Sequence, residues 1–146
     1  MMHEEFMQRA LELAKMAAEQ DEVPVGAIIV RDNKIIASAY NTREKDKNAL
    51  YHAEIKAIDE ACRVLGGWRL VGCTMYVTLE PCPMCAGAIV NARIERVVYG
   101  ASDNKAGAFG TMINLTDYPL YKPQIIGGIL REECSQLLSD FFKKKR

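Results

Sequence analysis

The sequence predicts an α/β fold, a three-layer α/β/α arrangement around a central five-stranded mixed sheet, built by a single domain spanning residues 1–146. Two observations carry this. Short β-branched runs alternate with segments of helical periodicity, a pattern that favours a sheet covered by helices on both faces. The length of 146 residues is that of one domain able to bury a core, and no repeat, low-complexity stretch or linker divides it.

Met7, Ala10, Leu11, Ala14 and Ala18 recur at helical spacing and place a first helix over residues 7–19. Residues 25–30 are β-branched and mostly apolar, a buried strand. Asp32-Asn33 is a turn signal, which makes residues 35–40 the hairpin partner. Helical spacing resumes over 53–65 and stops at Gly66-Gly67. A third strand over 74–79, a helix over 83–92 and a fourth strand over 96–99 follow. Residues 124–126 supply a fifth strand, and a helix over about 132–142 closes the chain.

The composition excludes several classes. Glu4 and Glu5 stand where a secretory leader would carry basic residues, and no apolar run approaches the ~20 residues of a membrane span. Five cysteines is an odd number, and Cys62, Cys73 and Cys134 lack ligand spacing, so a disulfide framework is not expected and a reducing cytoplasm is. With 19 basic and 19 acidic residues the net charge is zero. That argues against broad polyanion binding but leaves room for a local basic patch. The closing Lys143-Lys144-Lys145-Arg146 run fits either a solvated helix end or an extended RNA-binding surface.

The chemistry concentrates in Tyr51-His52-Ala53-Glu54 and Glu80-Pro81-Cys82-Pro83-Met84-Cys85. One imidazole and two thiolates, from His52, Cys82 and Cys85, suit zinc and leave a fourth tetrahedral position for water. A closed structural site would need another protein ligand, and His3 is the only other histidine. Zinc lowers the pKa of bound water towards neutrality. Glu54 is placed to take that water's proton and pass it on, the work of a general base and then a general acid. Two residues span about 200° on a helix, so His52 and Glu54 converge only if the metal lies off a helix N-terminus. Pro83 favours the first turn of a second helix, so two N-termini are expected to point at one metal.

The His-Ala-Glu and Pro-Cys-Pro-Met-Cys segments resemble the signature of zinc-dependent nucleobase deaminases. The likeness to bacterial tRNA-specific adenosine deaminases is closer. It runs through Val23-Pro24-Val25-Gly26-Ala27, Asn41, His52-Ala53-Glu54-Ile55, Trp68-Arg69-Leu70 and residues 74–110, and more weakly through residues 137–142. The resemblance implies a cytidine-deaminase-like fold, one zinc ion per chain, a homodimer, and conversion of adenosine to inosine at the wobble position of a tRNA anticodon stem-loop. It makes Asn41 a reader of the flipped base and Val25 an apolar wall beside it. Asp103 would contact sugar or a backbone hydroxyl, and Lys105 a phosphate. Backbone N–H groups near Ala53 would orient the base. Where family members often carry Asp-Pro-Thr-Ala, this chain has Asn48-Ala49-Leu50-Tyr51, bulkier residues expected at the pocket mouth. Two rival readings remain: a deaminase of free guanine, cytosine or a nucleotide, and a non-catalytic RNA-binding subunit with structural zinc. Loss of the glutamate would mark the latter, and Glu54 is present.

Overall fold

In the computed structural model, which describes residues 3–145, the chain alternates helices and strands as the sequence predicts. The order is α1 (His3–Glu19), β1 (Gly26–Arg31), β2 (Lys34–Tyr40), α2 (Ala53–Leu65), β3 (Cys73–Leu79), α3 (Pro83–Asn91), β4 (Arg96–Ala101), β5 (Gln124–Gly127) and α4 (Arg131–Lys144). A short 3-10 turn at Leu115–Asp117, capped by the Asn114 side chain, was not anticipated. Of the closing basic run, Lys143 and Lys144 lie exposed in the last turn of α4 and Lys145 pairs with Asp21. Arg146 lies outside the described residues.

The five strands form one mixed sheet in the order β2-β1-β3-β4-β5. β1 runs antiparallel to β2 and β3, whereas β3, β4 and β5 are mutually parallel. These directions put the carboxyl ends of β2, β3, β4 and β5 on one edge, beside the start of β1. The β1–β2 hairpin closes through Asp32 and Asn33, both at positive φ (52° and 62°), as a turn matching the strand twist requires.

Alternation along the strands divides the core in two. Ala27, Ile29, Met75, Val77 and Val97 face α2 and α3, packing on Ala53, Ala57, Ala61, Ala86 and Ile89. Ile28, Val30, Tyr76 and Val98 face α1 and α4, packing on Phe6, Met7, Ala10, Leu11 and Cys134. Each fully buried Ile, Val or Met contributes roughly 1.5–3 kcal/mol. Gly26 lets α1 rest on β1: a Cβ there would meet the Ala10 carbonyl oxygen at 2.1 Å. On that face His3 Nδ1 bonds the Tyr76 hydroxyl at 2.7 Å, across the sheet from Cys85 and α3. Among the described residues no helix is long and apolar enough to cross a membrane.

Candidate metal centre and base pocket

His52 and Cys82 are the N-cap residues of α2 and α3, both in extended backbone conformation. N-cap side chains commonly accept a hydrogen bond from the first turn. Neither does so here; both turn outward and meet. His52 Nδ1 stands 3.6 Å from Cys82 Sγ and 3.4 Å from Cys85 Sγ, with all three ligand atoms within 4.8 Å of one another. A tetrahedral zinc ion, with bonds of about 2.05 Å to nitrogen and about 2.3 Å to sulfur, separates those atoms by about 3.6 Å. The spacing and donor chemistry therefore fit the ion. His52, Cys82 and Cys85 are the group among the described residues that could hold a metal.

The extended conformation of His52 resolves the 200° offset, since only Glu54 of the pair obeys the helical screw. Glu54 sits in the first turn of α2 with 4% of its surface exposed. Burial pushes its carboxyl up to about 7. Hydrogen bonds from Cys85 and then His52 hold the Cys82 thiol down at about 4, while the bond to Cys82 pushes Cys85 upward. The hydrogen bond between His52 and Cys82 raises His52 in turn. The group thus keeps one thiolate ready beside the imidazole, with two helix N-termini favouring the negative charge. The remaining thiols are of another kind. Burial raises Cys73 and Cys62, and it lifts Cys134 to about 12.

A pocket of about 150 Å³ opens beside the cluster, lined by His52, Glu54, Cys82, Ala53, Val25, Asn41 and Asp103 among others. A cavity of about 150 Å³ takes a single aromatic ring elsewhere, so the pocket suits a base and leaves any sugar and phosphate outside. Asn41, 6% exposed, donates from Nδ2 to the Val23 carbonyl at 3.3 Å and accepts at Oδ1 from the Arg43 amide at 3.4 Å. One further donor and one further acceptor remain on its amide. Asp103 Oδ1 accepts from the Lys105 and Ala106 amides at 2.9 and 3.1 Å, so that oxygen shapes its own loop.

Two expected residues lie apart from this cavity. Cys85 is fully buried behind it, and Lys105 is exposed on the loop outside it. Leu50 and Tyr51 do not line it either. They border a neighbouring cleft of about 670 Å³ with Tyr40 and Lys56, so the bulk in place of Asp-Pro-Thr-Ala falls beside the base pocket. Four lining residues were not anticipated: Val23, Arg43, Leu79 and Glu80. Glu80 stands in the quoted ligand segment, and a carboxylate two residues before a thiolate ligand was the available signal.

The family model for MafB19-like deaminases matches residues 1–146. The tRNA-specific adenosine deaminase of Bacillus subtilis (strain 168) is 50% identical over 143 residues, covering 97% of this chain and 89% of that protein. A solved structure from work on A-to-I editing by tRNA:A34 deaminases superposes with a TM-score of 0.89 at 43% identity, covering 92% of this chain and 99% of the other. Guanine deaminase from Bacillus subtilis aligns less fully, with a TM-score of 0.67 at 36% identity over 77% of this chain and 83% of that one. A full-length family match, half-identical relatives and a shared fold agree with the His, Cys, Cys cluster and its buried glutamate: the chain belongs to the deaminase family of the tRNA-specific adenosine deaminases.

Proposed function

We propose that this chain, as one deaminase domain, converts adenosine to inosine at the wobble position of a tRNA anticodon, releasing ammonia. The observation that carries the reading is a buried carboxyl beside a three-ligand cluster at the wall of a base-sized pocket. The names of half-identical relatives supply the substrate. His52, Cys82 and Cys85 would hold one zinc ion. When bound, zinc supplies a water acidified to near neutrality. Glu54, poised near 7, accepts one proton from the attacking water and delivers it to N1 of the purine, then carries the proton of the newly added hydroxyl from C6 to the departing amine, which leaves as ammonia. Asn41 holds the purine edge, Val25 flanks the ring, and the α2 amides starting at Ala53 point at the base. Asp103 at the pocket wall and Lys105 outside it lie on one loop and meet the flanking nucleotides.

A second copy of the chain would cover the outer face of α3. There Gly87, Ala88, Val90, Leu115, Tyr118 and Leu120 line an apolar groove of about 420 Å³. The compartment of tRNA, the cytoplasm, is where the enzyme would act. Incubating the zinc-loaded protein with an anticodon stem-loop, with guanine and with cytosine, scored by mass, tests the substrate. Deamination of the stem-loop alone is expected. Conversion of a free base with an inert stem-loop would replace this reading with a free-base deaminase.

A further inference from the structure

Glu80 is 1% exposed and receives four hydrogen bonds, all from one loop. Its Oε1 accepts from the Asp103 amide at 3.2 Å and from the Thr111 hydroxyl. Its Oε2 accepts from the Phe109 and Thr111 amides at 3.0 and 3.2 Å. Among the described residues no lysine or arginine pairs with it. Both oxygens are saturated by donors, so Glu80 has no free lone pair aimed at a base although it lines the base pocket. Gly107 completes the arrangement, because a Cβ there would meet the Glu80 carboxyl carbon at 2.5 Å. The next residue of the ligand segment is tied as well: the Ala108 amide donates to the Pro81 carbonyl at 2.9 Å.

We propose that Glu80 is a positioning residue: it fastens the 103–111 loop to the segment carrying Cys82 and Cys85, so that the flanking-nucleotide contacts and the metal ligands are set by one buried carboxylate. The proposal rests on the reading of Asp103 and Lys105 as contacts to RNA. It separates two functions that share a segment. Metal binding depends on Cys82 and Cys85, whereas the grip on substrate outside the pocket depends on where Glu80 holds the loop.

Thr111→Val removes one donor from an exposed position at nearly constant shape, so folding is not at risk. Glu80→Gln keeps the shape but turns an amide donor towards backbone donors. In zinc-loaded full-length protein, Thr111→Val should raise KM for the stem-loop roughly three- to tenfold, the size of one typical net hydrogen bond lost at an exposed position. The zinc content should stay at one per chain and kcat within about twofold. Glu80→Gln should do the same more strongly. Combined with Lys105→Ala, Thr111→Val should raise KM by less than the product of the single effects, because both act through one loop. Unchanged KM in Thr111→Val, multiplicative effects, or a fall in kcat at constant KM would each overturn the proposal. If the wild-type protein leaves the stem-loop unreacted, the function reading fails by itself. Hydrogen exchange then decides the tether: faster exchange of amides 103–111 in Thr111→Val supports it, and unchanged rates overturn it.

Discussion

Glu54 and Glu80 are both buried carboxylates on the wall of one pocket, and their neighbours give them different work. Glu80 is filled by donors from residues 103–111, whereas Glu54 is displaced to about 7 by burial and stands beside the thiols and imidazole. A group near neutrality exchanges protons in both directions, so Glu54→Ala should keep zinc and RNA binding but lose ~10²–10⁴-fold in turnover. A loss of tenfold or less, measured as single-turnover deamination, would remove it from the chemistry. Cys85→Ala should lose most of the zinc by elemental analysis, since two ligands hold the ion far less well than three; full occupancy would exclude Cys85 as a ligand. These residues were readable because ligand type and spacing are local facts. Glu80 and Arg43 were not, because Glu80's partners lie 23 to 31 positions away and Arg43 joins the pocket only once β2 is laid beside β1.

At the scale of elements, the site is made by where two helices begin. Gly66-Gly67 ends α2 as expected, with Gly66 at φ 73° and its amide on the Cys62 carbonyl. Pro83 starts α3 one residue after a ligand. Such punctuation is written in residue types, which is why α2 and α3 were legible nearly to the residue. The first turn of α1, His3 to Phe6, was not, since its charged residues carry no apolar period although Phe6 is buried. The 3-10 turn at Leu115–Asp117 escaped for the same reason. Contacts between elements were also invisible, and Gly26 is the sharpest case. Gly26→Ala should force α1 off β1 and destabilise the fold by about 1–3 kcal/mol or more. Gly67→Ala, with nothing within 4 Å of the added carbon, should stay within about 0.5 kcal/mol. Equal denaturant midpoints for the two variants would show that the α1–β1 contact is looser than drawn.

For the whole molecule, the strand order gathers everything at one edge of the sheet. The segment before β1 brings Val25, the end of β2 brings Asn41, the end of β3 brings Cys82, and the end of β4 brings Asp103. Open α/β sheets commonly bind ligands beyond the carboxyl ends of their strands. The α/β class followed from the alternation of elements, but this gathering depends on strand order, which no local pattern encodes. With net charge zero, the molecule has no general attraction for polyanions, so its grip on RNA must come from a few placed cations. Lys105 is exposed on the loop next to Asp103, and among the described residues no ion pair holds its ammonium. A single phosphate contact to an unpaired strand contributes about 0.7 to the slope of log affinity against log salt. Lys105→Ala should therefore weaken stem-loop binding, flatten that slope by about 0.7 and leave turnover at saturation nearly unchanged, because the lysine lies outside the base pocket. Binding titrations at several salt concentrations measure the slope. A variant with the wild-type slope would place the phosphate contact on another cation, and Arg43 at the pocket wall would be the first to test.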